Sequence, residues 1–232
     1  MKARAVFFDL DGTLVDSLPA LHKGVQLLAE ELKLPDPGIE RVGDMIGGGV
    51  RVLVGRLIAW WQTAAPECPL PETEAALSRL VELWDAVGTS AIRVYPGVPE
   101  ALSLLRKAGI RTVLVTNKER KLTLALLEEK GMNGLFDAVV AGGDCARLKP
   151  YPDMIERALA LSQTAPEEAL MVGDSRNDAL AARAAGVKAL LVETGYNEGE
   201  PLAVWGPSNG FENIFPDAAA ACGAVLKGEA FR

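Results

Sequence analysis

Asp9 and Asp11 stand two residues apart directly after the apolar run Ala5-Val6-Phe7-Phe8. In extended backbone, residues two apart point to one side, so both carboxylates can share one small site. Charges that close need neutralising, by a hard cation such as Mg²⁺, by a proton kept on one of them, or by both. Gly12 follows and lets backbone approach an anion closely. An Asx-type turn ending a strand accounts for the same residues without any chemistry.

Two further clusters carry the same kinds of group. In Val115-Thr116-Asn117-Lys118-Glu119, Thr116 and Glu119 have capping-box spacing for a following helix, whose free N–H groups, with the Thr116 hydroxyl, also suit a phosphate. In Gly173-Asp174-Ser175-Arg176-Asn177-Asp178, Ser175 and Asp178 have that spacing again, and Asp174 supplies a third carboxylate. Converging with Asp9, it would complete an oxygen-rich Mg²⁺ site with waters filling the octahedron. Lys149 lies in a loop stiffened by Pro150 and Pro152; a solvated surface lysine is the alternative. Three acids, a hydroxyl and a lysine suit phosphoryl transfer, where catalysis is positioning and charge neutralisation.

Such residues converge only if each follows a strand of one parallel sheet, because ligands bind at the carboxyl ends of the strands in open α/β sheets. Short apolar runs predict strands over 5–8, 112–115, 138–140, 169–172 and 189–192. Helical spacing predicts helices between them over 99–107, 121–130, 153–161 and 177–185, with Gly109, Gly131 and Gly186 as stops. From 18 to 91 the pattern is helical only: Leu21, Val25, Leu28 and Leu32, then Val50 to Trp61, then Leu77, Leu80, Val81 and Trp84. Proline-rich stretches at 35–38 and 64–71 read as loops. The expectation is an α/β core of residues 1–16 and 93–232, discontinuous because a helical block of residues 17–92 is inserted. Residues 205–214, with Gly206, Pro207 and Gly210, read as a loop-rich stretch.

Composition narrows the function classes. The 232 residues hold 31 acidic and 24 basic side chains, a net charge of −7, which argues against broad nucleic-acid or anionic-membrane binding. Cys68, Cys145 and Cys222 are far apart and odd in number, fitting neither a disulfide framework nor a thiolate zinc site, so a reducing cytoplasm is expected. The apolar run near the start is too short for an export signal, and Arg51, Gly55 and Arg56 cut the longest later one. His22 is given no role, and the four tryptophans read as packing residues.

Asp9-Leu10-Asp11-Gly12-Thr13-Leu14-Val15-Asp16-Ser17, Val115-Thr116-Asn117, Lys149-Pro150 and Gly173 to Asp178 together resemble the four ordered motifs of the haloacid dehalogenase superfamily. Ile46-Gly47-Gly48-Gly49, Gly142-Gly143-Asp144 and Gly195 to Glu200 are most similar to its bacterial phosphoglycolate phosphatase family. The resemblance implies a Rossmann-like parallel-sheet core with helices on both faces and an inserted all-helical cap domain. It implies a Mg²⁺-dependent phosphatase of a small anionic phosphomonoester, 2-phosphoglycolate first, working as a monomer or homodimer. Asp9 would be the nucleophile and form an aspartyl-phosphate, and Asp11 the acid and then the base. Asp11, Gly12, Thr116, Asn117 and Lys149 would hold the phosphoryl group. Asp9, the Asp11 carbonyl and Asp174 would bind the metal, with Asp178 behind them orienting Lys149 or a metal-bound water.

Substrate choice would fall to the cap, where the Gly47, Gly48 and Gly49 amides meet a carboxylate at a helix start and Arg51 is a candidate aid or a surface ion pair. A sugar-phosphate phosphatase or a mutase would use the same core. A phospho-accepting signalling domain also gathers acids, a hydroxyl and a lysine at strand ends, but the helical insertion and the Asp-x-Asp spacing speak against it. A nucleotide-binding module lacks its glycine-rich loop.

Overall fold

The structure is a computed structural model that describes residues 3–230, so residues 1–2 and 231–232 of the expected core lie outside the described residues. Along the chain run β1 (Ala5–Phe8), β2 (Val15–Asp16), α1 (Leu18–Leu32), α2 (Ile39–Met45), α3 (Val50–Ala64), α4 (Thr73–Val87) and β3 (Arg93–Val94). There follow α5 (Val98–Lys107), β4 (Arg111–Glu119), α6 (Arg120–Glu129), β5 (Ala138–Gly142), α7 (Asp153–Ser162), β6 (Ala169–Gly173), α8 (Arg176–Ala184) and β7 (Lys188–Val192). The last elements are α9 (Leu202–Ser208), β8 (Ile214–Phe215) and α10 (Ala218–Lys227).

Six strands form one parallel sheet in the order β5-β4-β1-β6-β7-β8. The first strand of the chain therefore lies between β4 and β6, which follow it by more than a hundred residues. Its four side chains divide between two apolar cores because alternate residues face opposite sides of a strand. Val6 and Phe8 join Leu102, Leu105, Leu114 and Leu170 on one face; Ala5 and Phe7 join Val113, Met154, Ile155 and Met171 on the other. Burial on both faces explains why these strands read as unbroken apolar runs.

Helices α1 to α4 enclose a third cluster of their own, with Val25, Leu28, Leu53, Leu57, Trp61 and Leu80 at its centre. The Trp61 indole donates to the Pro35 carbonyl and that of Trp84 to the Leu21 carbonyl, which closes this unit on itself. At its base β2 and β3 pair antiparallel, Val15 with Val94 and Asp16 with Arg93.

Several sequence expectations need correction. Residues 39–45 form a helix the pattern did not suggest, since only Val42 and Met45 of its seven residues are buried. The stretch from 205 is not a simple loop: α9 forms because Leu202 and Trp205, one turn apart, both bury, and Trp205 stacks on Phe211 with ring centroids 5.4 Å apart. β8 and α10 then complete the sheet edge and one of its covering faces. Thr116 caps no helix, because β4 continues through Glu119, whose side chain accepts the Leu122 N–H and caps α6 in its place.

Candidate active site

Asp9 follows β1, Thr116 lies in the outer part of β4, Lys149 follows β5, and Asp174 follows β6. These four strands are neighbours in the sheet, so its carboxyl edge brings the four side chains to one cavity of about 620 Å³. One wall consists of Asp9, Asp11, Thr116, Asn117, Lys118, Lys149 and Asp174 at the carboxyl edge of the sheet, with Asp178 from the first turn of α8. The facing wall comes from the helical unit: Leu21, Ile46 to Val50, Leu53, Leu77, Val81 and Trp84.

Lys149 is the hub of the polar wall. Its ammonium is buried and donates to Asp9 Oδ1 at 2.8 Å, Asp178 Oδ1 at 2.6 Å and the Val115 carbonyl at 2.7 Å, so it is no solvated surface lysine. Burial works to lower its pKa, but Asp178 and Asp9 outweigh it and hold the group well above the ordinary lysine value. Asn117 fixes the lysine's main chain, accepting from Lys149 N at 2.9 Å and donating to Lys149 O at 2.9 Å. The Asn117 side chain is thus committed to Lys149 and, at 3.4 Å, to the Gly47 carbonyl. Any grip it has on a phosphate must use its main chain.

Asp9, Asp174 and Asp178 each place one carboxylate oxygen within 4.8 Å of the others. The Asp11 side chain stays outside that group and bonds Lys118 Nζ at 3.2 and 3.3 Å instead. Asp178, assigned from sequence to a place behind the metal, lies among the three; its Oδ2 also accepts from Ser175 N and Oγ, the capping box expected at the start of α8. Burial first, then Asp178 and Asp11, against the opposing pull of Lys149, push the Asp9 carboxyl up to about 6. Burial, Asp9 and Asp178 raise Asp174 well above the usual carboxylate range. Two buried carboxylates and the partly buried Asp9 face one buried ammonium, a charge imbalance that a divalent cation with oxygen preference offsets, so these residues fit Mg²⁺.

Asp174 is held on both oxygens: Thr13 Oγ1 donates at 2.6 Å and Tyr196 N at 2.8 Å. The room for it comes from glycine. A Cβ on Gly12, whose φ is +87°, would lie 2.4 Å from Asp174 Oδ2, and one on Gly195 only 2.0 Å from it. Gly12 therefore makes space for a carboxylate of the protein itself.

Of the remaining candidates, Gly47, Gly48 and Gly49 line the cavity, and α3 starts directly after them as expected. Arg51 also borders it, but its guanidinium pairs with Glu74 on the surface, with 65 and 70% of the two side chains exposed. Sequence reasoning assigned no role to Lys118, Thr13, Tyr196 or Asn177. Lys118 sat beside Thr116-Asn117, and Gly195-Tyr196 belonged to a motif already noted; neither carried a charge pattern of its own. Asn177 Nδ2 is buried on the cavity wall with no hydrogen-bond partner among the described residues, which leaves a donor for a ligand.

The haloacid dehalogenase-like hydrolase model matches residues 3–186. The chain is 39% identical over 211 residues to phosphoglycolate phosphatase 1 of Pseudomonas aeruginosa, covering 91% of this chain and 77% of that one. It is 37% identical to the phosphoglycolate phosphatase of Vibrio cholerae over 201 residues, 86% of this chain and 88% of that one. A crystal structure described as a predicted phosphoglycolate phosphatase from Haemophilus somnus superposes with a TM-score of 0.88 at 30% identity, covering 98% of both chains. The chain belongs to the haloacid dehalogenase-like hydrolase family. Within that family it is a phosphoric monoester hydrolase.

Proposed function

We propose that the chain is a Mg²⁺-dependent phosphatase of a small phosphorylated carboxylic acid, 2-phosphoglycolate first, and that it works through an aspartyl-phosphate on Asp9. The observation that carries this reading is the buried Lys149 ammonium bridging Asp9 and Asp178 beside Asp174. With its carboxyl at about 6, Asp9 is ionised near neutral pH and attacks phosphorus, while Lys149 and Thr116 hold phosphoryl oxygens. Asp11 gives a proton to the leaving alkoxide and then takes one from the water that opens the aspartyl-phosphate. Asp9, the Asp11 carbonyl and Asp174 would hold Mg²⁺, and Asp178 orients Lys149. When bound, the ion offsets charge on the carboxylates and on the phosphoryl oxygens.

The helical unit, residues 17–92, serves as a cap over the core of residues 1–16 and 93–232. Its wall supports a small substrate. Leu21, Ile46, Val50, Leu53, Leu77 and Val81 are apolar, and the Trp84 indole is already bonded to Leu21. Apart from Arg51, which pairs with Glu74, that wall offers sugar hydroxyls no polar side chain among the described residues, so a sugar phosphate is disfavoured. The amides of Gly48 and Gly49 at the start of α3 remain for an anionic end. Unpaired cysteines at 68, 145 and 222 support a reducing, cytoplasmic setting, and no helix among the described residues is long and apolar enough to cross a membrane.

Phosphate release from 2-phosphoglycolate, glycerol phosphates and hexose phosphates, with and without Mg²⁺ and with Asp9→Asn as the blank, tests this. Metal-dependent preference for 2-phosphoglycolate is expected. Preference for a hexose phosphate overturns the substrate, and equal release by Asp9→Asn overturns the mechanism.

A further inference from the structure

Among the described residues, three cationic side chains border the cavity: Arg51, Lys118 and Lys149. Lys149 is consumed by Asp9 and Asp178, and Arg51 faces solvent on Glu74. Lys118 alone has its charge in the cavity with a partner that can be exchanged. Its side chain is largely buried, at 12% exposure, and among the described residues its one ion-pair partner is Asp11. Lys118 follows Thr116 by two residues on β4, past the residue placed against the phosphoryl group, and lines the same cavity.

We infer that Lys118 is the specificity-determining residue that binds the substrate's carboxylate, and that in doing so it exchanges Asp11 for that carboxylate. This rests on the small-acid reading of the substrate given above. Beyond the Gly48 and Gly49 amides, a carboxylate entering the cavity meets the apolar side chains of the helical wall, where a charge with no counter-ion is costly. Handing the ammonium over compensates that charge and also frees both Asp11 oxygens to face the ester oxygen. A phosphate ester without a carboxylate leaves the Lys118–Asp11 pair intact, so the site discriminates by chemistry as well as by fit.

The test compares kcat/KM for 2-phosphoglycolate with that for ethyl phosphate, which has the same length and no carboxylate. It uses the Mg²⁺-loaded full chain as wild type, Lys118→Gln and Lys118→Arg. Because both esters are measured on each protein, a general loss of folding or of Asp11 function cancels in the ratio. The ratio is expected to fall at least about 10-fold in Lys118→Gln and to stay within about 3-fold of wild type in Lys118→Arg. A wild-type preference undiminished in Lys118→Gln overturns the role of Lys118 and leaves the proposed substrate standing. A wild type with no preference for 2-phosphoglycolate overturns both.

Discussion

Asn117 holds the main chain of Lys149 at two points, accepting from its N–H and donating to its carbonyl, each at 2.9 Å. The side chain at the end of β4 thereby sets where the ammonium of the neighbouring loop can reach, a positioning task distinct from touching substrate. Replacing Asn117 by Ala removes both bonds and leaves two largely buried main-chain groups without partners, at a cost of about 1–3 kcal/mol of stability. Activity is expected to fall about 10–100-fold, mostly in kcat. Steady-state kinetics with a denaturant melt checks both; full activity would show that Lys149 holds its place unaided.

Asp174 is seated by absence of side chains as much as by bonds. In Gly195→Ala the new Cβ would lie 2.0 Å from Asp174 Oδ2, so the carboxylate must shift. Mg²⁺ concentration for half-maximal activity is expected to rise about 10–100-fold, with kcat at saturating metal much less affected. A metal titration of both proteins reads this directly.

The carboxylate cluster makes stability depend on pH with a definite sign. Asp9 moves from an ordinary 3.8 to about 6 in the metal-free fold, so between these values the folded state keeps a proton that the unfolded chain has lost. Its contribution is fully present below about pH 4 and is lost as pH rises through about 6; Asp174 acts in the same direction. Mg²⁺ requires the ionised carboxylates, so its stabilising effect grows as that contribution fades. The rise in melting temperature on adding Mg²⁺ is expected to be larger at about pH 7.5 than at about pH 5. Equal rises would contradict the metal assignment.

Asp9→Asn separates function from stability. The amide oxygen can still accept from Lys149, while one of three crowded charges disappears. Activity is expected to drop by about 10⁴-fold or more, as for loss of a nucleophile. The metal-free melting temperature at neutral pH is expected not to fall. A variant that melts earlier would show that the Asp9–Lys149 ion pair outweighs the repulsion among the acids.

The sequence made the sheet legible because every central strand contains a short run that is apolar on both faces, and its chemistry legible because Asp9, Thr116, Lys149 and Asp174 each follow such a run. What stayed hidden depends on contacts far apart in the chain. Lys118 acquires meaning only from Asp11, 107 residues earlier, and Tyr196 acts on Asp174 through a main-chain N–H that no residue type signals. Thr116 misled as a helix cap because the spacing Thr-x-x-Glu does not reveal that the strand continues through it. Gly206 and Pro207 suggested a loop, yet burial of Leu202 and Trp205 prevails over local propensity there.

Covalent capture on Asp9 tests the central claim most directly. Rapid acid quench of the Mg²⁺-loaded enzyme turning over 2-phosphoglycolate, followed by proteolysis and mass spectrometry, should find phosphate on the peptide carrying Asp9, with the adduct accumulating in Asp11→Asn and absent from Asp9→Asn. Steady turnover with no adduct on that peptide, in either the wild type or Asp11→Asn, would contradict the account.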